Sequence, residues 1–120
     1  MAYYSQFYKK MKTIIFLDDC RKPEQYVNTD KDIVYCASTF DEFVEALNSI
    51  YNKYNRVDEI WFDHDLGENA GTGYDCAKYL VEFCIEHAMP LPEYHLQSNN
   101  PVGKQNIDSY LKSFLKSLDL

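Results

Sequence analysis

The feature that most constrains the fold is a pair of short apolar runs that each end in acidic residues. Residues 13–17 (TIIFL) are followed directly by two aspartates, and residues 59–62 (EIWF) are followed by the sequence DHD. Apolar runs without polar alternation are typical of strands that are buried on both faces, as in parallel sheets. The sequence therefore predicts two interior parallel strands with carboxylates at their C-terminal ends.

Further strands and helices alternate along the chain. Residues 33–37 (IVYCA) predict another buried strand, and residues 93–97 (EYHLQ) predict a polar strand at the edge of the sheet. Thr39 and Glu42 have the spacing of a capping box, which predicts a helix from there to about residue 54. A second helix is expected to begin near residue 73 and to end before Pro90.

The last helix is expected to begin at Asn100-Pro101, with Asn as N-cap and Pro in the first helical position. Helical spacing predicts which apolar residues of the last two helices face the core. They are Tyr74, Ala77, Leu80, Val81, Cys84 and Ile85, and then Ile107, Tyr110, Leu111, Phe114, Leu115 and Leu118.

Alternating strands and helices imply right-handed crossovers between parallel strands. We therefore predict an α/β fold, a three-layer doubly wound parallel sheet with four strands in the order 2-1-3-4. Ligands bind such sheets beyond the carboxyl ends of the strands, where the order reverses. The predicted domain spans residues 12–120, and residues 1–11 form an N-terminal extension. We expect deletion of the Tyr-rich residues 1–10 to leave the fold intact.

The composition of the chain limits the classes of partner that it can bind. A formal net charge of −7 argues against binding to duplex nucleic acid or to an anionic membrane, because both need a basic surface. No apolar run is long enough to span a bilayer. None of the four cysteines forms a CxxC pair. The apolar neighbours of Cys36, Cys76 and Cys84 suggest buried thiols in a reducing compartment, whereas Cys20 follows two aspartates at a strand end and is a candidate to line the site. We therefore expect a cytoplasmic location.

Carboxylates are the main candidates for chemistry. In the predicted strand order Asp18 and Asp19 come together with Asp63 and Asp65, and such like charges need a cation among them. Hard oxygen ligands favour a divalent cation such as Mg²⁺ or Mn²⁺. The alternative is that these aspartates only cap helices and solubilise loops. His64 lies between two acids. It is either a general acid or base, a metal ligand, a hydrogen-bond donor to a phosphate, or a histidine whose ring packs aside under the sheet edge.

Candidate phosphate-binding residues lie in two segments. Arg21 follows the first acidic pair, where a planar guanidinium suits a phosphate, although an exposed loop charge is the equal alternative. Ser98, Asn100 and Gly103 lie at the start of the last helix, whose unpaired N–H groups attract anions. The simpler interpretation of the same segment is a plain Asn cap.

Three motifs resemble the cyclic-phosphate-processing receiver domain family over about residues 12–118. They are FLDDCRKP (16–23), FDHDLG (62–67) with GYD (73–75), and SNNPVG (98–103). The resemblance implies a receiver-like fold without its last strand and helix, and metal-dependent processing of nucleotide cyclic phosphates. It also implies that Asp18 and Asp19 bind metal, that Asp63 takes the phosphoacceptor position, and that Ser98 supplies the hydroxyl after the fourth strand.

The chain departs from the family pattern at Gln97, where the family has a histidine before the serine. Glutamine cannot exchange protons near neutral pH. The lysine that receivers carry after a fifth strand also has no counterpart in these 120 residues. Three hypotheses remain: a metal-dependent phosphoesterase acting on a nucleotide cyclic phosphate or a related small ester, a non-catalytic module that binds a nucleotide or a protein, and a phospho-accepting receiver. In the first, catalysis would involve Asp63, His64 and Asp65.

Overall fold

The computed structural model describes residues 11–17, 32–62, 73–97 and 101–118. Strands and helices alternate through these ranges after the first two strands. In chain order they are β1 (Thr13–Leu17), β2 (Ile33–Ala37), α1 (Phe40–Tyr54), β3 (Glu59–Phe62), α2 (Gly73–His87), β4 (Glu93–Leu96) and α3 (Pro101–Ser117).

The four strands form one parallel sheet in the order β2-β1-β3-β4. The predicted order 2-1-3-4 is therefore confirmed. Strand β1 is buried at all five positions, as its continuous apolar run requires of a central strand. Strand β4 lies at one edge, where its more polar sequence was expected.

One face of the sheet carries the main hydrophobic core. Ile15, Leu17, Ile60 and Phe62 belong to a single cluster with buried residues of all three helices. Ile14 and the other alternate residues of β1 and β3 point to the opposite face. The described part of the chain thus shows two of the three predicted layers, the sheet and the helices on one of its faces. The predicted third layer, on the opposite face, lies outside the described residues.

Helix α1 begins and ends as its sequence predicts. The Thr39 Oγ1 accepts a hydrogen bond from the Glu42 N–H at 3.0 Å, so the predicted capping box forms. The Glu42 carboxylate accepts from the Ser38 N–H at 2.7 Å, one residue earlier than the ideal motif. At the other end Asn55 adopts a left-handed conformation (φ 60°), and its N–H bonds to the Tyr51 carbonyl.

The prediction of which residues of α2 and α3 face the core is wrong for a few residues. Ile85 is 65% exposed, and Phe83 is buried instead. Leu115 on α3 and Leu118 just after it are also exposed, because the fully buried residues of α3 end at Leu111. Among the helices that the structure describes, none combines the length and the apolar character needed to cross a membrane.

Strand β2 also differs from the prediction of a buried strand. Only Ala37 is buried, and Cys36 is exposed. The physical reason is position, because β2 lies at an edge of the described sheet and Cys36 points away from the helical face. The prediction that Cys36, Cys76 and Cys84 are buried holds for Cys76 and Cys84 and is wrong for Cys36, and Cys20 lies outside the described residues.

Cys36 should differ from Cys76 and Cys84 in its reactivity toward thiol reagents. Burial, with a smaller contribution from the charge of Asp75, raises the pKa of Cys76 to about 12, and burial raises that of Cys84 to about 11. Because the thiolate is the reacting form, we expect iodoacetamide at mildly alkaline pH to modify Cys36 and to spare the other two. Peptide mass spectrometry locates the adducts, and denatured protein, in which all three react, is the control. Equal modification of Cys36 and Cys84 in the native protein would contradict the described burial.

Polar contacts hold the N-terminal end of β1 in place. The Thr13 N–H donates to the Asp58 carboxylate at 2.8 Å, and the Arg56 Nε donates to the same oxygen at 3.1 Å. Arg56 also donates to the Met11 carbonyl at 2.6 Å. These bonds tie the beginning of β1 to the segment before β3. The dispensability of residues 1–10 stays a prediction, because those residues lie outside the described part.

Candidate active site

The C-terminal ends of β1, β3 and β4 lie side by side at the same end of the sheet. Leu17, the last residue of β1, pairs with Phe62, the last residue of β3. The Gln97 N–H, directly after β4, donates to the Phe62 carbonyl at 2.8 Å. Backbone pairing thus brings together the points from which the three motif-bearing segments depart.

Most of the predicted site residues lie in those departing segments and outside the residues that the structure describes. This applies to Asp18, Asp19, Arg21, Asp63, His64, Asp65, Ser98 and Asn100. Their predicted roles in metal binding, catalysis and phosphate binding therefore stay predictions. What the structure does define is the pairing of the strands that precede them.

Gly103 is the described member of the predicted phosphate-binding group. It is buried in the first turn of α3, where it leaves no side chain between the helix backbone and its neighbours. Pro101 opens the same helix, as predicted. The burial of Gly103 fits close packing as well as close approach of a ligand.

A partly buried hydrogen bond joins α3 to β4. The Tyr94 hydroxyl donates to the Asp108 carboxylate at 2.9 Å, and Lys112 lies 2.8 Å from the other oxygen of that carboxylate. Burial, together with this bond to an anion, raises the pKa of Tyr94 to about 12. The contact of Lys112, with that of Tyr94, outweighs burial and lowers the pKa of Asp108. The middle of α3 is thereby tied to β4.

Comparison with known families decides the class of the protein. The family model of the cyclic-phosphate processing receiver domain matches residues 13–113. The chain belongs to this family. The match runs from the first residue of β1 into α3, so the cyclic-phosphate processing receiver domain accounts for every strand and helix of the described fold.

No curated protein and no solved structure matches the chain. The position of Gln97 is therefore interpreted within this receiver domain from its own contacts. Its backbone is fixed beside Phe62, and its side chain is half-buried. The residue that replaces the histidine of the family pattern thus stands next to the strand end that leads to Asp63.

Sequence reasoning missed a second group of polar residues, on the sheet face away from the helices. Glu59, Glu93 and His95 each offer a ligand atom, and these atoms lie within 4.8 Å of one another. An available signal was the spacing Glu-x-Trp and Glu-x-His in two strands, which puts all four side chains on one face once the strands pair in register.

The Glu59 carboxylate is buried but charged. Burial raises its pKa, but the hydrogen bond and charge of Lys12, with smaller effects of Trp61 and His95, more than offset this and lower it. The carboxylate in turn raises the pKa of Lys12. This carboxylate therefore remains ionised on a face of the sheet that the predicted active site does not use.

Proposed function

We propose that this receiver domain is a metal-dependent phosphoesterase that opens a nucleotide cyclic phosphate or a related small phosphate ester. The observation that carries the proposal is the register of β1 with β3, which pairs Leu17 with Phe62. The next residues in sequence are Asp18-Asp19 and Asp63-His64-Asp65. Two acidic segments that leave adjacent strand ends are suited to bind one hard cation.

The proposed cation is Mg²⁺ or Mn²⁺, held by Asp18, Asp19 and Asp63. Carboxylate oxygens are the donors that these ions prefer. When bound, such an ion polarises a phosphoryl oxygen and lowers the pKa of a water molecule. The family description supports a cyclic phosphate as the substrate class.

The remaining roles fall to side chains around this group. Arg21, Ser98 and Asn100, with the N–H of Gly103, would bind the phosphate oxygens and orient the ester. His64 or Asp65 would take the proton of the attacking water. In the net reaction the water oxygen bonds to phosphorus, one ring P–O bond breaks, and the released ribose oxygen takes up a proton.

A non-catalytic module that binds a nucleotide or a protein partner is the second candidate. The observation that favours it is Gln97, whose amide hydrogen-bonds a ligand but does not transfer a proton. A nucleotide-binding module would share the cation and the phosphate-binding residues with the phosphoesterase and would differ from it in leaving the ester intact.

Cation binding through Asp63 is the first test. We expect Mg²⁺ or Mn²⁺ to raise the melting temperature of the native protein and to leave that of Asp63→Ala unchanged, because binding to the folded state stabilises it. The measurement is a thermal melt across a metal titration. Glu86→Ala removes an exposed acid on α2 and should keep the full rise. An equal rise in native protein and Asp63→Ala would refute the assignment of this ligand.

Turnover separates the two candidates. Purified protein with Mn²⁺ is incubated with a panel of 2′,3′- and 3′,5′-cyclic nucleotides, and product release is followed by chromatography. The phosphoesterase proposal expects at least one ring to be opened by native protein and none by Asp63→Ala. Metal-dependent binding of a nucleotide without any ring opening would support the module instead.

A further inference from the structure

The face of the sheet opposite the three described helices carries a ladder of stacked rings. The Phe16 and Trp61 rings stack at 5.3 Å between centroids and 8° between planes. Trp61 stacks in turn on His95 at 4.0 Å and 21°. The three residues stand on β1, β3 and β4, so the orientation of the imidazole is set by packing across the sheet.

Glu59 is fixed beside this ladder. Its side chain is only 8% exposed, and it stands in register with Glu93 on the neighbouring strand. The Lys12 Nζ lies 2.6 Å from its Oε2, and the Trp61 indole N–H donates to its Oε1 at 3.3 Å. Partners on both oxygens hold the carboxylate in one orientation.

Three potential ligand atoms converge at this point. The His95 Nε2 lies 3.2 Å from the Glu59 Oε1 and 3.8 Å from the Glu93 Oε2. Two ligand atoms at about 2.0–2.1 Å from a tetrahedral zinc ion are about 3.3–3.4 Å apart. The two separations bracket that value, and all three ligand atoms lie within 4.8 Å of one another, so a shift of the exposed Glu93 side chain would bring the two carboxylates to ligand distance as well.

The two carboxylates of this group carry more negative charge than Lys12 neutralises, so the group can bind a cation. Two carboxylates face one ammonium, and Lys12 occupies the Glu59 oxygen that is not directed at His95. The Glu93 side chain is 64% exposed and His95 is 32% exposed, so the group is open to solvent on one side. An ion entering there can keep a water molecule as its fourth ligand, as zinc with three protein ligands does.

We propose that Glu59, Glu93 and His95 form a second metal site, which binds one zinc-class divalent cation. An imidazole with two carboxylates suits zinc, whereas the all-carboxylate group proposed at the other site suits Mg²⁺ or Mn²⁺. Lys12 and Trp61 orient the buried carboxylate from behind, as residues around metal ligands commonly do. The site is independent of the proposed phosphoesterase activity.

Calorimetric titration of the full chain with Zn²⁺ tests the proposal. We expect one strong site per chain in native protein and at least about a hundredfold weaker binding in Glu93→Gln and His95→Ala, because even residues behind the ligands contribute 10- to 100-fold to affinity. Asp63→Ala should retain the site, which separates it from the proposed catalytic metal. His87→Gln, on α2, is the matched control for incidental histidine binding and should also retain it.

Cobalt(II) provides an independent readout of the ligand types. Bound at this site it should give visible ligand-field bands without thiolate charge-transfer absorption, because no cysteine is included. Glu93 is exposed, so Glu93→Gln is expected to fold normally and remains informative even if His95→Ala does not fold. Unchanged zinc affinity in Glu93→Gln would overturn the proposal, as would loss of the strong site in Asp63→Ala.

Discussion

Replacing Gln97 with histidine is expected to raise turnover of a nucleotide cyclic phosphate about a hundredfold, the usual contribution of a positioned proton donor or acceptor. Position 97 is suited to that role because its N–H is bonded to the Phe62 carbonyl, beside the strand end that leads to Asp63. An imidazole attached there would titrate near neutral pH, which the amide of glutamine cannot do.

Turnover with Mn²⁺ and ligand affinity by calorimetry should be measured on native protein and on Gln97→His. Gln105→His makes the same chemical change on the exposed surface of α3 and should leave turnover as it was. If Gln97 only hydrogen-bonds a ligand, Gln97→His alters affinity while turnover stays near zero, which supports the binding module. Strong native turnover that falls in Gln97→His would contradict both versions and would direct attention to His64.

Phe43→Ala is expected to lower the free energy of unfolding by about 3–5 kcal/mol, the usual range for removing a fully buried aromatic side chain. Phe43 is completely buried on α1, and its ring lies 6.3 Å from that of Phe62. Removal of the ring leaves a cavity under the last residue of β3. Since small domains are stable by about 5–15 kcal/mol in total, this one change removes a large part of the stability.

Urea unfolding followed by circular dichroism measures this loss. Ile85→Ala truncates a large apolar side chain that is 65% exposed, and its effect should stay within about 0.5 kcal/mol. A loss below about 1 kcal/mol in Phe43→Ala, or equal losses in the two variants, would show that α1 does not pack on the sheet as described.

The architecture was predictable from the sequence because its signals are local. The apolar run at Thr13–Leu17 and the capping box at Thr39 and Glu42 each involve neighbouring residues, and alternation of strands with helices then leaves few topologies. The burial of residues near the boundary of the core was not predictable in this way. Helical periodicity places Ile85 close to the core face, but it does not say how far the neighbouring elements extend over that face.

The same limit applies to the sites. The motifs indicated which strand ends should carry chemistry, and the register of β1 with β3 confirms that those strand ends are adjacent. The group of Glu59, Glu93 and His95 depends on a lateral alignment of β3 with β4. A single strand sequence does not specify that alignment, so the matching spacing of Glu-x-Trp and Glu-x-His in two separate strands was the available signal.

The pairing of β1 also has a consequence for how the chain folds. The partners in the described sheet stand at positions 13 and 33, 14 and 59, and 59 and 93, so each pairing closes a long loop and none is a hairpin. Long loops slow folding, because their closure entropy is lost before the strands make contact. During synthesis β2 is made before β3, so the apolar residues of β1 have their β2 partners first and remain without their β3 partners until residue 62 has been added.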